Sequence, residues 1–567
     1  AAPGLVAQGP AELPPAQLDR VPGTVDALIG QADEFIEDGQ AEEAIAIIQR
    51  IQTRHARELT VDPAAARSGF SRYHPVSRRC QLWIASLSHR LPGALEAYRE
   101  QVDPIAERWL REARANHDRS LLERIMENYP NSRHGDQAML LLGDMCLEAG
   151  DFSGARDAWQ SIHRFLRSPG GPAATGPWGI SLWHSLLRVE PSDLPLTLDM
   201  LTSMPAELPA RYFPGSDISP PEVLSRLVLV SILEGDVPRA RWELKLLGQL
   251  FPQSKGTIAG QEGLYVDLLG GMLLGSREWE PLPGTDWTTY AGLPSRQPIF
   301  SHPLDLRSKA TWSRSLQRQS ANQDLLGRGH YRVAERADSL LSYHPVAWGE
   351  HCFCHDGRQI LAYRIEDGSP AWGSQEGVIY TVPITDGNVE QEQERVVGVA
   401  RQTITIDHGR LFARMGSSVT AHRREQDLLT VVPGLVVGLD LELEGKSLEG
   451  FPLRPPGDHW TFEGTPVSDG DSIYLLLRYR DEVRSQFHVA SYSIQSGRQR
   501  WQQQVCAAAM PSGGRYQERS HHLLTLYEGK LFCSPGAGVV ASISCRDGRI
   551  QWITSYPRST LEIGNAR

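Results

Sequence analysis

The run His351-Cys352-Phe353-Cys354-His355 carries the densest set of metal-ligating side chains in this 567-residue sequence. Imidazole nitrogens and thiolates are zinc chemistry when four of them converge on one point. In an extended strand, however, successive side chains alternate between faces. The two Cys then share one face and the two His the other, so one ion cannot collect all four without a bulge. The run also misses the Cys-x-x-Cys-His haem spacing by one residue. A packed strand is its expected role. His521-His522 divides across faces in the same way. Gly536-Ala537-Gly538-Val539-Val540-Ala541 fits a dinucleotide fingerprint, yet it falls at a predicted hairpin and opens no helix. Gly445-Lys446-Ser447 ends like a phosphate-binding loop, but Asp440 stands where the first Gly belongs. Neither His-Glu-x-x-His nor Gly-x-Ser-x-Gly occurs. No catalytic, cofactor-binding or metal-ligating residue is assigned, and no cofactor is expected.

The composition, 40% hydrophobic and 22% charged, is that of a globular protein, and the length calls for two or more domains. A net charge of -11 argues against non-specific binding of nucleic acid and suits protein partners. The most apolar stretch, 263–275, is broken by Asp267 and Gly270-Gly271, so no transmembrane segment is expected. The N-terminus is too polar for a signal-peptide core, but Ala-Ala-Pro is what cleavage after small residues would leave. Cysteine is present seven times, an odd number. A hairpin centred near Ala537 places Cys533 opposite Ala541, which puts Cys545 too far along the strand for a disulfide with Cys533.

These residues need elements to hold them. Residues 1–24 contain five prolines and no apolar period, and read as a flexible lead or surface strap. Helical periodicity then runs over 25–275 as helix hairpins. One hairpin turns at Glu37-Asp38-Gly39-Gln40, with Ile36, Ala44, Ile45 and Ile48 apolar around it. A second stops a helix at Tyr129-Pro130 and gives Asn131 or Ser132 as the next cap. It then sets Ala138, Leu141, Leu142 and Met145 against Ala155, Ala158, Trp159 and Ile162 across Gly150-Asp151. The third turns at Glu234-Gly235-Asp236, before Ala240, Leu244 and Leu247, and Phe251-Pro252-Gln253-Ser254 echoes Tyr129-Pro130-Asn131-Ser132. Gly/Pro-rich 169–177 reads as an inserted loop. The stretch 276–304 is a linker, 310–316 a strand and 324–341 a helix.

From 305 to 567 the pattern becomes short strands and tight turns. Strands at 350–355 and 360–365 flank a turn at Asp356-Gly357-Arg358, and Asp367-Gly368 leads to a strand ending at Trp372. The same punctuation recurs at Ser496-Gly497 with Trp501 and at Asp547-Gly548 with Trp552. Glu444-Gly445 holds the same place without a Trp. The interval from Gly368 to Gly445 is the longest, which fits an insertion across 374–400.

The helical turns resemble tetratricopeptide-type repeats, although their spacing is not a multiple of 34 residues. The strand units resemble quinoprotein-like (PQQ-like) propeller repeats. The segments carrying this are 362–372, 490–501 and 541–552. With 408–416, 462–467, 522–526 and 552–558, the whole is similar to planctomycete-type envelope proteins that join tetratricopeptide helices to such a propeller, of the outer-membrane-assembly type. The resemblance implies a multidomain protein, an N-terminal α-solenoid followed by an all-β propeller of which about four blades are present. Such rings close with more blades, so it further implies an incomplete ring whose remaining blades come from a second chain or a cleaved segment. The expected function is a non-catalytic scaffold or assembly subunit of the cell envelope, periplasmic or extracellular with its signal peptide removed. It would bind protein partners in a multi-subunit complex. The alternatives are a PQQ-dependent oxidoreductase or quinone sensor, and a subunit of a surface lattice or filament.

Overall fold

In a computed structural model, the residues described are 12–13, 15–20, 23–61, 71–162, 213, 216–276, 287–296, 311–314, 343–357, 359–382, 402–415, 434–457, 459–480, 484–509, 522–527 and 529–559. The chain is mixed α and β and divides into two compact units. A helical unit comprises Arg20–Thr60 and Pro75–Leu282. A sheet unit comprises Ala1–Asp19, Val61–His74 and Pro283–Arg567. The predicted helix 324–341, the loop 169–177 and most of the insertion 374–400 lie outside the described residues, as does all but 311–314 of the predicted strand 310–316. Those four residues form no strand.

The helical unit holds ten helices among the described residues: α1 Gly23–Glu37, α2 Ala41–His55, α3 Val76–Arg90, α4 Ala94–Asn116, α5 Arg119–Asn128, α6 Gly135–Glu148, α7 Phe152–Ile162, α8 Pro220–Leu233, α9 Val237–Leu250 and α10 Tyr265–Gly275. Apolar residues at three- and four-residue spacing bury one face of α1 through Val25, Ile29, Ala32 and Ile36, and α2 answers with Ala44, Ile45, Ile48 and Ile51. Three helix pairs end their first helix in the same way. Gly39, Gly150 and Gly235 take φ of 77°, 75° and 74°. The glycine N–H bonds the carbonyl three residues back, and the next N–H bonds the carbonyl five back, which satisfies two orphan acceptors at each helix end.

Two local expectations are corrected. The helix after Tyr129-Pro130 is not capped by Asn131 or Ser132, which are both buried; α6 begins at Gly135 after His134. A Cβ on Gly135 would stand 2.0 Å from the Pro130 carbonyl oxygen, so the tight turn takes the residues the cap would have used. After Phe251-Pro252 comes no helix but a two-stranded hairpin, Lys255–Ile258 with Gln261–Leu264, and only then α10. No helix among the described residues is long and apolar enough to cross a membrane.

α7, α8 and α9 are tied by a buried ionic network. Arg156, 1% exposed, donates to Glu243 Oε1 at 3.0 Å, Ser231 Oγ at 2.8 Å and Glu234 Oε2 at 2.7 Å. Ser231 Oγ donates to Glu243 Oε2 at 2.5 Å, and Arg239 Nε to Glu243 Oε1 at 3.0 Å. Burial pushes the Glu243 carboxyl up, and the two guanidiniums oppose that rise.

Among the described residues the sheet unit contains four antiparallel meanders. Sheet I is built from Val346–Trp348, His351–His355, Gln359–Arg364 and Val378–Thr381. Sheet II takes Gln402–Asp407, Arg410–Met415, Leu435–Asp440 and Lys446–Ser447, with Tyr343–His344 added in parallel to its first strand. Sheet III takes Trp460–Ser468, Ser472–Arg480, Arg484–Ser493 and Gln499–Ala509, and sheet IV takes Leu524–Tyr527, Lys530–Cys533, Val539–Ser544 and Ile550–Ser555. Phe353, Ile360, Ile404 and Leu411 share one core between sheets I and II; Phe412, Val436, Phe462 and Ile473 share the next between II and III. Strands covered on both faces lose their apolar-polar alternation. Ile473, Tyr474, Leu475, Leu476 and Leu477, each at most 2% exposed, are such a run.

Three pieces from the first 75 residues belong to this unit. Glu12–Leu13 pairs with Arg558–Ser559, Gln17 bridges Ala507, and Ser71–Pro75 adds a strand to Ile550–Ser555 through Tyr73↔Ile553 and Arg72↔Thr554. Part of the stretch read as a flexible lead or surface strap is thus hydrogen-bonded to a sheet.

Candidate functional site

The His351–His355 strand places its candidate ligands apart. His351 packs its ring against Trp372 at 4.9 Å. His355, 1% exposed, accepts a hydrogen bond at Nδ1 from the Gly357 amide at 3.2 Å. That leaves its proton on Nε2, which donates to the Thr403 carbonyl at 3.1 Å. Burial lowers its pKa to about 4, so the ring is neutral and both its nitrogens are engaged. On the opposite face Cys354 packs with Leu361 and Tyr363, and burial pushes its thiol up to about 12. A thiol held protonated is a poor nucleophile and a poor ligand. All seven cysteines are free thiols. Cys533 pairs with Ala541 in the ladder, which is the register that separates it from Cys545.

The other motifs fall in turns and strands. Gly536 and Gly538 take φ of 67° and 83° in the loop before Val539–Ser544 and precede a strand. Gly445 takes φ of 85° and leads into Lys446–Ser447, which pairs with Leu439 and Asp440. His521 lies outside the described residues; His522 is buried with its ring edge-on to Phe487 at 5.5 Å. Among the described residues no group of three or more His, Cys, Asp and Glu is placed to hold a metal ion.

What recurs is a receptor turn. After the third strand of each sheet, the residues Ile365, Leu441, Ile494 and Cys545 donate their N–H to the turn joining that sheet's first two strands, at Glu350, Gly409, Asp471 and Gly529. The following glycines, Gly368, Gly445, Gly497 and Gly548, all have φ between 66° and 85°. Each glycine is covered by a group that precedes its own sheet. A Cβ on Gly548 would lie 2.5 Å from the Trp501 ring, and Trp501 Nε1 donates to Cys545 O at 2.9 Å. At Gly368 the ring is that of Trp312, 2.6 Å from an added Cβ, with Nε1 donating to Ile365 O at 2.6 Å. Ile379 covers Gly445 at 3.4 Å, and the Gly450 backbone covers Gly497.

Trp501 and Trp312 therefore close the junction to the next sheet, whereas Trp372 does not. It lies in the helical turn Ala371–Gly373 at φ 51° after Pro370, not at a strand end, and sheet I's fourth strand starts only at Val378. Trp312 performs the docking without the strand that the sequence suggested.

A second arrangement escaped sequence reading. The segment 287–296 reaches first strands of the sheets. Trp287 O accepts from Ala347 N at 2.9 Å, Thr288 O from Ile406 N at 2.6 Å, and Pro294 O from Leu526 N at 3.0 Å. Arg296 donates to Leu524 O at 3.1 Å and to Thr289 Oγ1 at 3.0 Å. Thr405 Oγ1 donates to Pro466 O at 2.6 Å, so at 2.8 Å it accepts from the Thr289 hydroxyl. The relay Arg296 to Thr289 to Thr405 to Pro466 links sheets II and III to this segment. Burial lowers the Arg296 pKa to about 10. His408 Nδ1 lies 2.8 Å from Asp407 Oδ1, and Ser468 Oγ donates to Asp407 Oδ2 at 2.7 Å. Because the hydroxyl donates to the carboxylate and not to the imidazole, this is no nucleophile-base arrangement.

No family model and no curated protein matches the chain. Among solved structures it is similar to a quinohemoprotein alcohol dehydrogenase from Pseudomonas putida, at 10% identity and a TM-score of 0.25, over 38% of this chain and 34% of that one. It thus spans about a third of that enzyme. It is also similar to the pilF product of Pseudomonas aeruginosa, at 15% identity and a TM-score of 0.11, over 41% of this chain and 93% of that one. Likeness at these scores carries no weight for activity.

Proposed function

We propose that this protein is a non-catalytic interaction scaffold, a tetratricopeptide-like solenoid joined to PQQ-like propeller blades, acting as an assembly subunit of the cell envelope. The observation that carries the reading is the repetition itself. Three helix pairs use one C-terminal turn and four sheets use one receptor turn. The polar chemistry found in them, Arg156 with Glu243 and Arg296 with Thr289, joins element to element. Repeat stacks present long surfaces built from many shallow contacts, which suits binding of other proteins.

The test is the native mass of the particle isolated from its source, with mass spectrometry of every chain in it. A stoichiometric second protein is the expected result. A chain found alone, with a calcium-dependent quinone absorbance, would replace the scaffold by the oxidoreductase. Polymers of this chain alone would point to a lattice subunit.

A further inference from the structure

The junction rule leaves one donor over. Trp552 stands in sheet IV where Trp501 stands in sheet III: Ser542 faces Trp552 as Ser491 faces Trp501, and a bulge follows both pairs. Both serines are buried, and neither hydroxyl has a hydrogen-bond partner among the described residues. Trp501 passes its N–H to Cys545 O in the next sheet. Among the described residues the aromatic ring paired with Trp552 is that of Phe532, at a centroid distance of 6.3 Å, and the Trp552 N–H has no hydrogen bond there.

We propose that Trp552 is the docking residue for a further sheet of the same repeat, carried by a different polypeptide, whose receptor glycine and preceding carbonyl take its ring and its N–H. This rests on the scaffold reading and names the contact through which one partner is held.

The occupant's chemistry follows from the junction seen at Trp501, whose ring lies on Gly548 and whose N–H goes to Cys545 O. A second copy of this chain is a poor occupant, because the four receptor glycines among the described residues are covered: Gly368 by Trp312, Gly445 by Ile379, Gly497 by Gly450 and Gly548 by Trp501. The partner is therefore recognised by its chemistry, a glycine at positive φ following a free strand-end carbonyl.

The experiment uses the full chain, tagged and isolated from its source, as wild type, W552A and W552F. Hydroxyl-radical footprinting is read at Trp552 and at Trp501. The expected result is a co-purifying chain, with Trp552 protected in the complex and more reactive in the separated subunit, and Trp501 unchanged between the two. Loss of the ring in W552A should weaken retention about thirtyfold, as for a central tryptophan hot spot. W552F, which keeps most of the ring and loses the N–H, should fall between. An unchanged melting temperature of the separated W552A subunit shows that the loss is not one of folding; if W552A is destabilised, W552F decides. A partner retained equally by all three, with Trp552 reactive throughout, would overturn the docking role and leave the scaffold reading standing. Copies of this chain joined through Trp552, or a receptor sheet covalently continuous with it, would overturn the assignment of the occupant. The absence of any second chain would remove both readings.

Discussion

Gly548 and Gly39 share a backbone conformation, with φ of 72° and 77°, but differ in surroundings. An alanine at either costs about 1 to 2 kcal/mol, because its Cβ crowds the following carbonyl in the left-handed region. At Gly39 nothing lies within 4 Å of the added Cβ, whereas at Gly548 it would meet the Trp501 ring at 2.5 Å. Gly548→Ala should therefore lose clearly more stability than Gly39→Ala in urea unfolding, by at least a further 1 kcal/mol of overpacking. Equal losses would remove the steric account of the receptor turn. Titration gives a second prediction at this scale. The folded-state pKa of His355, about 4, lies below the ordinary value of 6.5. As pH falls, the unfolded chain takes up the proton first, so stability is complete above pH 6.5 and declines until the folded value is reached. About 1.4 kcal/mol per pH unit gives roughly 3 kcal/mol for this fully buried ring. His488, likewise lowered by burial to about 4, adds in the same direction. His408 runs oppositely: its hydrogen bond to Asp407 raises it, so its contribution is present at low pH and lost as pH rises through the folded value. His355→Gln should flatten stability against pH between 6.5 and 4, and an unchanged slope would refute the assignment.

Between elements, the Arg156 network decides how α7, α8 and α9 meet. Removing one partner of a buried ion pair costs about 3 to 5 kcal/mol, because the other charge stays desolvated. Arg156→Leu leaves the buried Glu243 with one guanidinium, that of Arg239, in place of two, so it should unfold the helical unit at lower urea; Arg156→Leu with Glu243→Leu should recover part of that loss. A double variant no better than the single would show that shape, not stranded charge, set the cost. The network also shows which features could be read from sequence. Gly39, Gly150 and Gly235 were legible because their hydrogen bonds close within six residues. The Asp-Gly turns were legible for the same reason, with Asp367 accepting from Ser369 and Asp547 from Arg549. Arg156 with Glu243, Trp312 with Ile365 and Arg296 with Leu524 were not, since each partner is set by tertiary packing far along the chain. The division of His351 and His355 from Cys352 and Cys354 between two faces was legible from strand alternation alone. Trp372 misled because Pro370 and the helical turn after it delay the fourth strand.

At the scale of the whole molecule, chain order and unit membership part company. The sheet unit takes Ala1–Asp19 and Val61–His74 as well as everything from Pro283, so the helical unit is bracketed by pieces of the sheet unit. The strand Ser71–Pro75 covers one edge of Ile550–Ser555, and His74 Nδ1 lies 3.0 Å from the Gln551 carbonyl. An uncovered edge strand presents a row of free N–H and C=O groups that recruits other chains. A fragment beginning at Pro283 would lack that cover, together with Glu12–Leu13 on Arg558–Ser559 and Gln17 on Ala507. Such a fragment should self-associate in sedimentation velocity and exchange the amides of 551–555 faster than they exchange in the full chain. A synthetic peptide spanning 61–75, added in excess, should slow that exchange and shift the fragment toward monomer. The same peptide with Tyr73→Asp, which puts a charge at a side chain only 7% exposed, should do neither. If the fragment is monomeric and equally protected without the peptide, the early segments are ornament to the sheet unit and not part of it.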